Sequence, residues 1–129
     1  MKVLLVDDSS VIRHRLVEML FDIEGVDIVG QAAGVGEALY LVQHTKPDLA
    51  IVDLGLPQGS GLDVLRRIKH NDPRTTVVIL TNYTESDFKS ACIAAGADFF
   101  FDKSYEFERV PPLLSLLATV RSKEDMPRP

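Results

Sequence analysis

The sequence predicts an α/β domain: a doubly wound, five-stranded parallel sheet with helices on both faces. Three observations carry that expectation. Five short apolar runs alternate with five helical periods; each run gives way within a residue or two to a polar residue; and helix-stopping residues fall where each period ends. Strand followed by helix, repeated, needs crossover connections, which make a sheet parallel and cover both of its faces.

The elements follow in order. Residues 3–6 (Val-Leu-Leu-Val) read as a fully buried strand, and Ile12, Leu16 and Leu20 give the first helical period, stopped at Gly25. Residues 26–33 form a weaker strand, interrupted by Asp27, Gly30 and Gln31, which suits a place nearer the sheet edge. Val35, Ala38, Leu39 and Val42 mark the second helix, ended by Lys46-Pro47. Residues 49–52 are the third strand. Residues 61–70, with Leu62, Leu65 and Ile68, are the third helix, ended by Asp72-Pro73. Residues 77–80 give a fourth buried strand. Phe88, Ala91, Cys92 and Ala95 give a fourth helix, stopped at Gly96 and opened by a capping box over residues 84–87 in which Asp87 stands for the usual Glu or Gln. Residues 99–101, three phenylalanines, read as a fifth strand, buried like the others. Val110, Leu113, Leu114 and Leu117 make the last helix, with Pro111-Pro112 in its first turn, where proline loses no helical hydrogen bond. The domain spans 1–121. Residues 122–129 lack an apolar period and read as a solvated tail and a natural terminus.

Composition narrows the function. A chain of 129 residues has the size of one domain. With 46% hydrophobic and 26% charged residues it fits neither a disordered nor a fibrous class. A single cysteine, Cys92, forms no internal disulfide and reads as a small buried apolar residue, which points to a reducing, cytoplasmic compartment. The first apolar run is too short for a signal peptide or a membrane span. Fourteen basic against 19 acidic residues give a net charge of -5 without a nucleic-acid-type Lys/Arg cluster, so neither direct nucleic-acid binding nor membrane insertion is expected. His14, His44 and His70 lack metal-ligand spacing and read as surface or boundary residues. Arg66, Arg67, Lys69 and His70 read as a solvated basic strip.

In an open parallel sheet, ligands bind beyond the carboxyl ends of the strands. Those ends carry Asp7-Asp8, Asp53, Thr81 and Asp102-Lys103. Three gathered carboxylates repel one another unless a cation sits among them. Oxygen-only ligands favour Mg2+, with Mn2+ as the second option, over zinc. Lys103 suits an incoming anion. A phosphoryl group is the economical anion, because its transfer needs positioning and charge neutralisation and a carboxylate can accept it. Asp53, alone at the end of a central strand, is the better nucleophile; Asp7 and Asp8 can hold a metal from one turn. Each residue also has a blander role. Asp7, Asp8, Ser9 and Ser10 could cap a helix, Asp53 could shape a turn, Thr81 could simply end its strand, and Lys103 could be solvated. The conjunction at four of the five strand ends favours a site.

These residues resemble the receiver domain of two-component response regulators, the chemotaxis-type phosphoacceptor module, over roughly residues 1–121. The matching pieces are residues 3–8, residues 48–57 with Ser60-Gly61, Leu80-Thr81, and residues 95–103. The resemblance implies a flavodoxin-like sheet in the order 2-1-3-4-5. It implies Asp53 as phosphoacceptor, Asp7 and Asp8 as the acidic pair around Mg2+, and the Gly55 carbonyl as a further metal ligand. Thr81 and Lys103 would contact the phosphoryl oxygens. The implied phosphodonor is a histidine kinase or histidine phosphotransfer protein, and output passes through contacts with a downstream protein. Beyond its own phosphoryl transfer and autodephosphorylation, no enzyme activity is implied. Two departures stand out: Ser104 follows Lys103 where many members have a proline with a cis peptide bond, and the aromatic switch position holds Phe100 in place of tyrosine. Lacking a hydroxyl, Phe100 gains less from facing water, which favours its burial on activation. Phosphorylation adds about two negative charges, drawing Thr81 and Lys103 inward. Two alternatives are a haloacid-dehalogenase-type phosphatase, which needs a second Asp where this chain has Gly55, and an interaction module that is never phosphorylated. A flavin-binding protein would set its phosphate against Asp7-Asp8, which repel it.

Overall fold

The structure is a computed structural model that describes residues 1–124. Strands and helices alternate along the whole of it: β1 (Lys2–Val6), α1 (Ser10–Leu20), β2 (Asp27–Ala32), α2 (Val35–Thr45), β3 (Leu49–Val52), α3 (Gly61–Asn71), β4 (Thr76–Thr81), α4 (Ser86–Ala94), β5 (Phe99–Asp102) and α5 (Val110–Glu124), the last preceded by a single 3-10 turn, Phe107–Arg109. All strand pairs are parallel and the sheet order is β2-β1-β3-β4-β5. The chain leaves β1 toward one edge and returns to its other side at β3. The strand order therefore reverses between β1 and β3, where a doubly wound sheet opens a crevice.

Side chains alternate across each strand and divide the core in two. Leu4, Val6, Val52 and Ile79 face α2, α3 and α4, where Ala38, Leu65, Ile68 and Cys92 meet them. Val3, Leu5, Ile51 and Leu80 face Leu16 and Leu20 of α1 and Val110 and Leu114 of α5. Burying each such aliphatic side chain stabilises the fold by about 1.5–3 kcal/mol. On α2 it is Leu41, not Leu39, that joins Val35 and Val42 against the core.

Lys46 closes α2 and Gly96 follows α4 in left-handed conformations, as expected, but Gly25 does not stop α1: the helix ends at Leu20 with Phe21 as its cap, and Gly25, with positive φ, shapes the turn into β2. Four further expectations need correction. Residues 99–101 are not fully buried: every residue of β5 is half-exposed, because β5 is an edge strand with a neighbour on one side only. The capping box over residues 84–87 does not form; α4 starts after Glu85 with no side-chain cap, and only Cys92 on that helix is buried. Lys69 does not belong to a solvated strip. Its ammonium is tied to the Thr75 carbonyl at 2.7 Å, the Pro73 carbonyl at 3.3 Å and Asp98 at 2.8 Å. Helix α5 continues to Glu124, three residues into the segment read as tail, and residues 125–129 lie outside the described residues.

The amino-terminal rim of the sheet is stapled. Asp98 accepts the Val77 amide at 2.8 Å as well as Lys69, joining α3, β4 and the approach to β5. Asp48 accepts the Lys2 amide at 2.7 Å and pairs with Arg121 of α5 at 2.8 Å. The terminal amine donates to the Gly25 carbonyl at 2.6 Å.

Cys92 is 1% exposed, and burial pushes its thiol above the ordinary value of 9.0, against a small opposing effect of Arg66. The unfolded thiol ionises first, so the contribution is present below that value and is lost as pH rises through the folded one. We expect Cys92 to resist an aromatic disulfide reagent in the native protein. Between pH 8 and 10 the melting temperature of the wild type should fall more steeply than that of Cys92→Ala.

Candidate functional site: an acidic pocket at the carboxyl rim

The pocket is built at the reversal point. Asp7 directly follows β1 and Asp53 directly follows β3, and the pairing of Val6 with Val52 sets the two side by side. Their amides continue the sheet ladder, Asp7 to the Ala32 carbonyl at 3.0 Å and Asp53 to the Val6 carbonyl at 2.9 Å. Register thus fixes both positions before any side-chain interaction is considered. Asp7, Asp8 and Asp53 each offer an oxygen within 4.8 Å of the others; Asp7 and Asp53 are buried, whereas Asp8 is exposed.

Lys103 enters from the far edge of the sheet. It follows β5, its amide donates to the Thr81 carbonyl at 2.9 Å, and its side chain reaches back across the rim. The ammonium lies 2.7 Å from Asp7 Oδ2 and 3.0 Å from Asp53 Oδ2, with the lysine side chain only 11% exposed. A solvated lysine is excluded. Burial alone would depress the Lys103 pKa, but hydrogen bonds to both aspartates and their charges outweigh it and raise the pKa above 10.5. For Asp7 burial wins: the carboxyl is pushed above 3.8, helped by the charge of Asp53 and opposed by Lys103 and the Ser9 amide.

The local turns explain why these aspartates are free for chemistry. The α1 cap is Ser9, whose hydroxyl accepts the Ile12 amide at 3.2 Å, so neither Asp7 nor Asp8 caps the helix. Asp7 Oδ1 instead accepts the Ser9 amide at 2.8 Å. Asp53 does shape its turn, accepting the Gly55 amide at 3.3 Å through Oδ1 while Oδ2 meets Lys103. Gly61 has to be glycine, because a Cβ there would lie 2.0 Å from the Asp53 carbonyl oxygen. Gly55 is likewise covered: a Cβ would come within 2.6 Å of the Tyr83 ring.

Thr81 ends β4, is fully buried, and its hydroxyl accepts the Tyr83 amide at 3.1 Å. It stands on the neighbouring strand to Asp53. Phe100 does not reach the acidic pocket; it is half-buried against the α2/α3/α4 core, with the Lys89 ammonium 5.8 Å from its ring centroid. Phe99 and Phe101 stack on each other across the opposite face, with centroids 6.5 Å apart. The loop after Lys103 is organised without proline, on a trans Lys103–Ser104 bond. Asp102 accepts the Ser104 amide at 2.8 Å, and the Ser104 hydroxyl donates to Asn82 at 3.0 Å. Glu106 accepts the Asp102 amide at 3.0 Å.

The donor set suits a small hard dication. It consists of carboxylate oxygens, one of them exposed, with no nitrogen or sulfur ligand in the group. Sequence reasoning did not single out Arg13, Gln31 or Tyr83 around this pocket, since each is identified only by where the fold puts it.

Because the pKa of Asp7 is raised on folding, its contribution is favourable below 3.8 and is lost as pH rises through the folded value. In chelator at neutral pH, Asp7→Asn should therefore melt above the wild type, and the difference should shrink as the buffer is acidified. A lower melting temperature at neutral pH would contradict this.

The fold agrees with that of known proteins. Residues 3–114 match the response regulator receiver domain family. The chain is 42% identical over 102 residues to a putative transcriptional regulator of Pseudomonas aeruginosa, covering 79% of this chain and 49% of that protein. It is 38% identical over 102 residues to the DNA-binding transcriptional activator DevR/DosR of Mycobacterium tuberculosis, covering 79% and 47%. It thus spans about half the length of the curated relatives it matches. Among solved structures, the receiver domain of a putative Luxo repressor protein from Vibrio parahaemolyticus superposes with a TM-score of 0.82 at 31% identity, over 98% of each chain. These matches favour neither a dehalogenase-type phosphatase nor a module that is never phosphorylated. The chain belongs to the response regulator receiver domain family, and its relatives support phosphoacceptor signalling in two-component systems.

Proposed function

We propose that Asp53 is the phosphoacceptor, and that the observation carrying this reading is the Lys103 ammonium bridging Asp7 and Asp53 at the rim where the strand order reverses. An Asp53 oxygen attacks the phosphorus of a phosphohistidine on a histidine kinase or phosphotransfer protein. The P–O bond forms as the P–N bond breaks, and the imidazole leaves with the electron pair and takes a proton from solvent. Lys103 is already beside the attacking carboxylate and offers its charge to a phosphoryl oxygen. Thr81 accepts from Tyr83, which leaves the hydroxyl hydrogen for a second phosphoryl oxygen. Asp7 and Asp8, with Asp53 and the Gly55 carbonyl, would hold Mg2+, with Mn2+ as an alternative. The bound cation offsets the negative charge of acceptor and phosphoryl group. Water later attacks the same phosphorus, releasing inorganic phosphate and restoring the carboxylate; the protein catalyses only its own turnover.

The unit that does this runs from β1 through the end of α5 at Glu124. Output passes through altered protein contacts: the phosphoryl group draws Thr81 and Lys103 inward, and Phe100, already half-buried, follows toward the core. The DNA-binding activity named for the Mycobacterium tuberculosis relative belongs to a protein about twice the matched length. For this chain the net charge of -5 favours a protein partner over direct contact with nucleic acid. Among the described residues no helix is long and apolar enough to cross a membrane, and we place the protein in the cytoplasm, where histidine kinases present their phosphodonor.

Incubation with acetyl phosphate and Mg2+ should add the mass of one phosphoryl group to the intact protein. Chelation should abolish the adduct, and an adduct that persists unchanged in Asp53→Asn would refute the assignment. Replacing Lys103 by Ala should slow adduct formation by about 100-fold while leaving the acceptor in place, a loss typical of removing one preorganised donor. Stopped-time mass spectrometry measures this.

A further inference from the structure

Arg13 lies outside the acidic group yet is bonded to its backbone. It sits in the first turn of α1, and its guanidinium makes two hydrogen bonds. One goes from an Nη to the backbone carbonyl of Asp7, and the other from Nε to Gln31 Oε1 on β2 at 3.3 Å. The Asp7 carbonyl belongs to the peptide group joining Asp7 to Asp8. Asp7 is held through its side chain by Lys103 and the Ser9 amide. Asp8 is exposed, and no hydrogen bond to another described residue fixes its carboxylate. The orientation of the Asp7–Asp8 peptide sets the backbone from which the Asp8 side chain projects toward its two partners. Arg13 clamps that peptide, and Gln31 holds the clamp from the neighbouring strand.

We infer that Arg13 is a positioning residue for divalent-cation binding, acting through the Asp7–Asp8 peptide with Gln31 as its anchor. This rests on the reading that Asp7, Asp8 and Asp53 bind the cation. The clamp and plain electrostatics predict opposite signs. A guanidinium near three carboxylates lowers the local affinity for a cation by repulsion, so its removal would tighten binding if charge were its only effect. If orientation is its effect, removal loosens binding, as loss of groups that orient metal ligands does, often by 10-fold or more.

The test uses Mn2+ alone with the full chain, following the loss of the free-ion paramagnetic resonance signal, so that no phosphorylation is read. The wild type should bind one ion and Asp8→Asn should lose it; failure of either overturns the reading of the acidic pocket itself. Given that pair, Arg13→Ala should bind about 10-fold more weakly. Gln31→Ala, which keeps the Arg13 charge and removes an exposed amide outside the acidic group, should bind about 2- to 3-fold more weakly. Arg13→Lys keeps the charge without the two-armed geometry and should recover only part of the loss. Unchanged or tighter binding in Arg13→Ala, or an unaltered Gln31→Ala, overturns the inference. A fall in melting temperature measured in chelator without a change in affinity does so as well.

Discussion

Like-charge crowding at one end of a parallel sheet is the constraint on which the remaining structure turns. Two buried carboxylates and an exposed one share a space of a few ångström, and a single ammonium, drawn from the opposite edge of the sheet, lies between the buried pair. Burial makes that arrangement costly for each charge taken alone. It holds because Lys103 satisfies one oxygen on each buried aspartate while the Ser9 and Gly55 amides satisfy the others. The lysine offsets only part of the negative charge, which leaves the rim with an excess of carboxylates.

The ion pairs at the centre of that arrangement are not local in sequence. Asp7 and Lys103 lie 96 residues apart, and Asp53 and Lys103 lie 50 apart. Parallel pairing aligns the carboxyl ends of β1, β3, β4 and β5 on one rim, and the pairing of β1 with β3 leaves the two buried aspartates adjacent. The fold supplies the coincidence, and the side chains supply the chemistry.

Much of this was legible beforehand, for identifiable reasons. Buried parallel strands announce themselves as continuous apolar runs, so β1, β3 and β4 were readable, and the polar residues just after them named the pocket. β5 was over-read because three phenylalanines look the same in a central strand and at an edge. The opening of α4 was misjudged because a side-chain pattern for capping does not ensure the backbone that uses it. The burial of Lys69 is not legible, since two of its partners are the backbone carbonyls of Pro73 and Thr75 and the third, Asp98, lies 29 residues away. Arg13 and Gln31 were invisible for the same reason: their relevance lies in a backbone carbonyl, and a carbonyl has no letter in a sequence.

The two ends of the sheet are unequally restrained. At one end Lys69, Asp98, Asp48 and Arg121 stitch two helices, α3 and α5, to the sheet. At the other, α4 buries a single side chain and Tyr83, Phe88 and Ile93 remain largely exposed. Along α4 every residue but Ala91 and Cys92 is exposed, so a substitution there disturbs little of the core, whereas one at the stitched rim breaks bonds between elements far apart in the chain.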